Sequence, residues 1–361
     1  MEMDDEFLDL DNAGSVDLGF AEKCDPWKLE SHFFPSKIGG KPAWLNFSHV
    51  PAADRVLCKT CKNPCIFLCQ IYAPIMSTDE CFHRTLFLFV CRNEDCCEPN
   101  RSDNLVVLRC QLKRENEYFS SSPPVESKSF SPKCKVTDFT KTCRVCNLKG
   151  TSHCGKCQSV NYCCREHQVA DWKAGHNLEC KSGKADPQRK CPLLLPECEI
   201  EIEAEELTDE AREGKREKSE EEKMKEYENL IKEGKAGTMH GDSSADPDFD
   251  AMNEDKEDVV FKKFKKRIAA TAAQVLRYEK DGEPLWVSQE HQPNAIPPCE
   301  YCGGERTFEF QILPQMLNHL ALDQIGKSID WGTIAIFTCK ESCDNGDAYK
   351  SEFVYKQDIV Q

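Results

Sequence analysis

Four pairs of potential metal ligands follow one another within residues 143–180. Their spacings are those of a zinc knuckle or of one helical turn, and thiolate and imidazole groups are ligands that zinc prefers. Eight such ligands suffice for two four-coordinate zinc ions, and closed sites of this kind keep no position for a catalytic water. The pairs are Cys143/Cys146, Cys154/Cys157, Cys163/His167 and His176/Cys180.

Helix geometry indicates which pairs share a metal ion. The segment that contains His167 and His176 has helix-forming residues and no proline, so it is predicted to be helical. At a rise of about 1.5 Å per residue the two histidines would lie roughly 13 Å apart, which is too far for one ion. The first and third pairs are therefore predicted to bind one zinc, and the second and fourth pairs the other. His153 and Cys164 lie beside ligands but outside this interleaved pattern, so they are not expected to bind.

The chain also contains one stretch twice, beginning near residue 40 and again near residue 282. Each copy is predicted to have a Gly/Pro-rich beginning, a strand that bears a tryptophan, a C-x-x-C knuckle and two returning strands. Two such units are expected to pack around one core. The matching positions are Gly40, Pro42, Trp44, Pro51, Cys58, Cys61, Phe67, Gln70 and Ile71 with Gly282, Pro284, Trp286, Pro293, Cys299, Cys302, Phe308, Gln311 and Ile312.

Each copy ends in an apolar strand that runs into a second pair of cysteines, so each copy can offer four thiolates. A tetrahedral zinc would join them at about 2.3 Å per sulfur. The alternative is a set of buried free thiols, since cysteine packs as a small hydrophobic residue. The two possible sets are Cys58/Cys61/Cys91/Cys96, where Cys97 competes with Cys96, and Cys299/Cys302/Cys339/Cys343. Four further cysteines lie inside apolar runs and are predicted to be core thiols: Cys65, Cys69, Cys81 and Cys110.

Strands are the main elements that must position these ligands. Short apolar runs such as "CIFLCQIYAP", "RTLFLFVC" and "TFEFQI" read as strands, and "CPLLLPECEIEI" is a further candidate. One helical stripe is predicted in "VVFKKFKKRIAATAAQVLRY", formed by Phe261, Phe264, Ile268, Ala272 and Val275. The predicted fold is mainly β with a small α/zinc insert, and the duplicated β units form one barrel- or sandwich-like core.

The net charge of −16 is concentrated in one part of the chain. Residues 199–258 contain 23 acidic and 9 basic side chains, and such a segment has too few apolar groups to fold. The chain is accordingly divided into an acidic disordered tail (1–22), an N-terminal β half (23–119), a Pro/Ser-rich linker (120–140), the ligand cluster (141–181), a connector with a strand (182–198), an acidic disordered run (199–258), and a helix with the C-terminal β half (259–361).

The 24 cysteines are expected to serve metal binding rather than disulfides. The acidic beginning lacks the features of a signal peptide, and no apolar run is long enough to span a membrane. These features predict that the protein is located in a reducing compartment, where thiols stay free, although a disulfide framework remains the alternative.

The ligand cluster resembles a MYND-type zinc finger, with "YCCREHQVADW" as its tyrosine–cysteine segment and helix. It differs at His167, where that family more commonly has cysteine. The chain on both sides resembles the programmed cell death protein 2 family, in "FPSKIGGKPAWL", "QIYAP", "FHRTLFLFVCR", "FKKFKKRIAATAAQVLRY", "GKSIDWGTIAIFTC" and "SEFVYKQDIV".

The resemblance implies a non-enzymatic, zinc-binding factor of cytoplasm and nucleus. Its relatives act as dedicated chaperones that capture ribosomal protein S2 during synthesis and support small-subunit biogenesis. MYND fingers generally bind proline-containing peptides, which are the expected partners of this one.

The sequence is compatible with three classes of function. In the first, the protein is a binding module for a basic ribosomal client, which the acidic run would attract electrostatically, although the run could equally be a solvated linker. In the second, the protein is a nuclear transcription cofactor that uses the finger and the basic segment Lys262–Arg267. That segment could also be the solvent-exposed face of a helix packed on the β core. An enzyme is disfavoured, because no glycine-rich cofactor loop or activated nucleophile is found. Direct nucleic-acid binding is disfavoured by the negative charge.

Overall fold

A barrel of β-strands forms the body of the protein, and a small zinc-finger-like insert follows its first half. The computed structural model describes residues 16–184, 189, 191–205, 259–321 and 329–359. The strands are β1 (Asp17–Glu22), β2 (Lys37–Ile38), β3 (Ile66–Tyr72), β4 (His83–Val90), β5 (Leu105–Leu112), β6 (Ser152–His153), β7 (Asn161–Tyr162), β8 (Cys198–Ala204), β9 (Gln274–Tyr278), β10 (Arg306–Ile312), β11 (Thr333–Cys339) and β12 (Tyr349–Gln357). The helices are α1 (Val136–Phe139), α2 (Arg165–Asp171), α3 (Asn177–Ser182) and α4 (Val259–Ala269).

The strand order closes on itself as β1-β8-β2-β3-β4-β5-β12-β11-β10-β9, with β9 pairing back to β1. Strands β2 to β5 form one antiparallel meander and β9 to β12 form the other, and the two meet where β5 pairs with β12. Closure leaves the barrel, as far as the structure describes it, without a free sheet edge. The prediction of a mainly β protein, built from two related units around one core, is thereby confirmed.

The central strands are buried on both faces, which explains their continuous apolar sequences. In β4, Leu86 and Leu88 point into the barrel, whereas Phe87 and Phe89 belong to a second cluster outside it. The outer cluster includes Trp44 and residues of the finger. A strand covered on both sides needs apolar residues at every position rather than at alternate ones.

The seam between β9 and β2 is closed by β1, which lies in the predicted disordered tail, and by β8, which overlaps both the candidate strand in "CPLLLPECEIEI" and the beginning of the predicted acidic run. Leu18 of β1 and Ile200 of β8 are buried. Gly19 permits close packing here, because a Cβ at that position would meet Ile200 at 2.7 Å and Leu276 at 2.8 Å. The predicted tail (1–22) and acidic run (199–258) are therefore wrong for residues 17–22 and 199–204; residues 1–15 and 206–258 lie outside the described part of the chain.

Two further predictions of local structure are corrected by the fold. The helix α4 ends at Ala269, so Ala272 lies in a turn and Val275 on β9, although Phe264 and Ile268 do form the buried face of the helix. Trp44 and Trp286 lie in loops and not in strands. The predicted linker (120–140) is irregular apart from α1.

The repeated glutamines hold these two loops in the same way. Gln70 accepts a hydrogen bond from the backbone N–H of Ala43 at 2.9 Å. Gln311 accepts one from the N–H of Leu285 at 2.6 Å and donates to its carbonyl at 3.0 Å. Each glutamine therefore fixes the residue just before the repeated tryptophan, which explains why this polar residue recurs in an apolar strand.

A buried ion pair joins the two halves through the barrel interior. Arg84 on β4 donates to Glu309 on β10, with Nη2 2.7 Å from Oε2, and both side chains have no solvent exposure. The hydroxyl groups of Thr338 and Tyr278 also donate to Glu309. Burial alone would raise the pKa of Glu309, but the Arg84 guanidinium holds that pKa below its usual value. Since β4 and β10 are not neighbours, this contact crosses the barrel.

Glu309→Gln is expected to destabilise the barrel by about 3–5 kcal/mol, because it leaves the buried Arg84 charge without its partner. Chemical denaturation of the zinc-loaded protein measures this difference. The exposed Glu305→Gln serves as the matched control and should change stability by less than about 0.5 kcal/mol. An unchanged midpoint for Glu309→Gln would contradict a charged pair in the interior.

None of the helices in the described ranges is both long enough and apolar enough to cross a lipid bilayer.

Candidate metal centres

Four clusters of cysteine and histidine side chains occur in the described part of the chain. Within each cluster the potential ligand atoms all lie within 4.8 Å of one another. The clusters bring together the residues predicted to share a site: Cys143/Cys146/Cys163/His167, Cys154/Cys157/His176/Cys180, Cys58/Cys61/Cys91/Cys96 and Cys299/Cys302/Cys339/Cys343.

The distances between sulfur atoms fit tetrahedral zinc sites. Ligands at about 2.3 Å from a tetrahedral zinc lie about 3.8 Å from each other. The Sγ atoms of Cys146 and Cys163 are 3.5 Å apart, and those of Cys154 and Cys180 are 3.9 Å apart. In the barrel the corresponding distances are 3.6 Å for Cys61–Cys91 and for Cys302–Cys339, and 3.7 Å for Cys299–Cys343. A disulfide would need about 2.0 Å, and all 24 cysteines are free.

The finger interleaves its two clusters as predicted, although its helix is not continuous. α2 and α3 are separated by a wide turn at Trp172–His176, where Gly175 has a φ of 132°. His167 points its Nδ1 at the first cluster and His176 its Nε2 at the second. The prediction of one unbroken helix is therefore wrong, but the two histidines still serve different clusters.

Two carboxylates, Asp171 and Glu179, lie beside the finger clusters. His176 Nδ1 lies 3.6 Å from Glu179 Oε2, which is too long for a hydrogen bond but places a carboxylate next to the imidazole. Glu179 also binds Arg144 at 2.6 Å and Arg189 at 2.9 Å. Asp171 accepts a hydrogen bond from the buried Tyr162 hydroxyl at 2.7 Å. These residues show no ligand spacing, so sequence reasoning missed their role.

The first cysteine of three C-x-x-C knuckles lies in a backbone environment that favours thiolate. Burial alone would raise the pKa of Cys58, Cys154 and Cys299. Backbone N–H groups of the second and third residues after each cysteine face its sulfur, however, and the net effect lowers all three pKa values, that of Cys154 to about 6. Zinc binds the thiolate form, so the knuckles are suited to a metal in the barrel halves as well as in the finger.

Several cysteine and histidine residues lie outside the clusters. Cys97 Sγ contacts the Asp330 carbonyl at 3.4 Å and Lys356 Nζ at 3.5 Å, so Cys96 rather than Cys97 joins the first barrel cluster. Cys164 follows a ligand, with its Sγ 3.8 Å from that of Cys163, and His153 is exposed on β6. The predicted core thiols Cys65, Cys69, Cys81 and Cys110 are all buried, and burial raises the pKa of Cys110 to about 12.

The finger packs directly on the outer face of the N-terminal meander. Leu148 and Val145 are buried in the same cluster as Trp44, whose indole N–H donates to the Asn147 carbonyl at 2.6 Å. Lys149 N–H donates to the Pro51 carbonyl at 2.9 Å. Ligand spacing suggests a separable module, whereas these contacts join the finger to the barrel core.

The comparisons with known proteins divide the chain in the same way. The N-terminal domain of programmed cell death protein 2 matches residues 15–126, its C-terminal putative domain matches residues 258–360, and the MYND finger matches residues 143–180. No solved structure matches the chain.

Three relatives illustrate how far the similarity extends. Programmed cell death protein 2 of Mus musculus is 42% identical over 357 residues, covering 96% of this chain and 97% of the relative. Programmed cell death protein 2-like of Homo sapiens is 30% identical over 319 residues, 85% of each chain. Probable 20S rRNA accumulation protein 4 of Schizosaccharomyces pombe is 30% identical over 96 residues, 23% of each chain. From this agreement in sequence, domain order and cluster positions, the chain belongs to the programmed cell death protein 2 family.

Proposed function

We propose that all four clusters bind structural Zn²⁺. Each offers four ligands, and the sulfur–sulfur distances fit a tetrahedral ion. Four protein ligands close a zinc coordination sphere, so the metal would stabilise the knuckles and take no part in catalysis. The protein would accordingly be a non-enzymatic binding factor.

We further propose that the protein is a dedicated chaperone for a basic small-subunit ribosomal protein, ribosomal protein S2, and acts in cytoplasm and nucleus. The similarity to the fission yeast relative carries this proposal, because the name of that protein links it to 20S rRNA. The acidic residues between 199 and 258 support it, since they would attract a basic client through long-range fields.

Selective capture of the client tests this proposal. Radiolabelled small-subunit ribosomal proteins are synthesised in a cell-free system in the presence of the full-length chain. We expect ribosomal protein S2 to be retained at least about tenfold more than other equally basic ribosomal proteins, because charge alone steers association but does not specify a partner. Equal retention of all basic proteins would contradict a dedicated chaperone and would show that the acidic residues bind basic proteins without specificity.

The finger supports a second candidate function, that of an adaptor in nuclear transcription complexes. Val169, Trp172 and Leu178 are 42%, 39% and 67% exposed, and such apolar groups could bind a proline-containing peptide. The basic residues between Lys262 and Arg267 give this adaptor function little support, because the lysines form the exposed face of α4, whose apolar face packs against Val287 and Leu313.

Trp172→Ala should weaken peptide binding at the finger and leave client capture unchanged. If Trp172→Ala abolished capture of ribosomal protein S2, the exposed apolar surface of the finger would be the main binding site.

A further inference from the structure

The two halves of the barrel have equivalent outer faces that are covered differently. On the N-terminal half, Trp44 has no solvent exposure, lies 5.0 Å from Phe87 between ring centres and donates its indole N–H to the finger. On the C-terminal half, Trp286 occupies the same position of the repeat but is only half-buried. Its indole N–H has no acceptor among the residues that the structure describes.

A pocket lies beside Trp286, where the described residues include no counterpart of the finger. It has a volume of about 480 Å³, and Ile296, Phe308 and Phe337 line it together with Trp286. The last strand before the second cysteine pair reads "LFLFVC" in the first half and "IAIFTC" in the second. Ala335 therefore stands where the first half has Phe87, so the tryptophan of the second half lacks the aromatic neighbour that Phe87 provides for Trp44.

The rim of this pocket carries negative charge. Asp281 and Glu283 are exposed there; Asp281 pairs with Lys280, whose Nζ lies 3.0 Å from Oδ2, whereas Glu283 forms no ion pair within the described ranges. Arg306 also lines the pocket, but its Nε binds Glu352 at 3.0 Å and its Nη1 donates to the Pro298 carbonyl at 2.8 Å. Because Lys280 and Arg306 are both paired within the protein, a ligand would meet mainly the Glu283 carboxylate.

The finger shows what kind of segment fits such a face. It places two apolar side chains, Val145 and Leu148, against the aromatic cluster and offers the Asn147 carbonyl to Trp44. A segment on the second half would need the same features, and the carboxylates at the rim favour a basic one.

We propose that the Trp286 pocket, formed by Trp286, Ile296, Phe308, Phe337 and the rim residues Asp281 and Glu283, docks a short basic segment of the client protein. An apolar side chain of the segment fills the pocket, a backbone carbonyl accepts the Trp286 N–H, and a neighbouring lysine or arginine pairs with Glu283. This inference rests on the proposed function, in which the client is ribosomal protein S2.

The test uses the full-length zinc-loaded chain and ribosomal protein S2 made in a cell-free system. A photo-reactive amino acid at position 296 is expected to cross-link to a client segment that contains lysine or arginine next to an apolar residue, whereas the same group at the exposed Val125 is expected to give no adduct. Trp286→Ala should lower capture by about tenfold or more, as the loss of a tryptophan at an interface centre does. Glu283→Lys reverses a charge at the rim and should lower the association rate by about threefold or more. Glu283 is exposed, so its reversal tests the site without a risk to folding.

Val125→Glu, at a side chain that is 71% exposed, is the matched control and should leave capture unchanged. The inference is overturned if the wild-type chain captures the client, but position 296 gives no adduct and both variants bind normally. If the wild-type chain does not capture the client at all, the proposed function itself fails and the inference fails with it.

Discussion

Cys299→Ala is expected to release the zinc ion of its cluster and unfold the barrel, since the two halves form one closed sheet. Structural zinc in small domains contributes about 10–16 kcal/mol of binding free energy at neutral pH, which is as large as the whole stability of a typical domain. The Cys299 knuckle is tied to Cys339 at the end of β11 and to Cys343 in the loop that follows. Since β11 pairs with β10 and β12, loss of the ion should loosen three strands together.

Zinc content and thermal unfolding of the purified variant measure this effect. Cys97→Ala is the matched control, because Cys97 is half-buried and lies beside a ligand but outside the cluster. Cys143→Ala should unfold the finger and also lower protection from hydrogen exchange in β4, since the finger covers that strand. If the Cys299→Ala protein kept the zinc content of the wild type and had the same melting temperature as Cys97→Ala, this cluster would be a set of free thiols.

Separated halves of the barrel are expected not to fold, whereas their mixture should. A fragment of residues 1–205 keeps β1 to β8, and a fragment of residues 258–361 keeps α4 and β9 to β12. Neither can form the β5–β12 pairing or the Arg84–Glu309 ion pair alone, and each leaves two sheet edges open. The two fragments together keep every barrel strand that the structure describes.

Hydrogen exchange of the β5 and β12 amides provides the measurement. Both strands should exchange freely in the separate fragments and gain protection of about two orders of magnitude or more on mixing with zinc, because most of their amides open only when the barrel unfolds. Introducing Glu309→Gln into the second fragment should weaken reassociation. Cooperative unfolding of either fragment by itself would mean that the halves are separate domains.

The ligand clusters were predictable because their information is local. A C-x-x-C knuckle or an i,i+4 pair places two ligands side by side in any fold, and only the combination of pairs needs further argument. Helix length supplied that argument for His167 and His176, even though Gly175 interrupts the helix. The repeat similarly indicated two related β units in one core, because both copies contain the same turns, knuckles and strands.

Contacts that depend on the rest of the molecule could not be predicted in this way. The candidate strand in "CPLLLPECEIEI" is a strand only from Cys198 onward, where Cys198 and Ile200 face the core and the glutamates face outward, because this is the part that pairs with β2. The helix α4 and the strand β9 share one apolar pattern, and pairing of the second part with β10 and β1, at Leu276 with Ile312 and Gly19, makes it a strand. The packing of Leu148 on the barrel has no counterpart in ligand spacing. In each case a distant partner decides the conformation.

If closed zinc sites hold the finger and both barrel halves, native mass spectrometry of the intact chain, purified without chelator, should find four zinc ions per chain, one for each cluster. Cys143→Ala and Cys299→Ala should each remove zinc from a different site. A wild-type chain that carries two zinc ions or fewer would show instead that the barrel cysteines are buried free thiols.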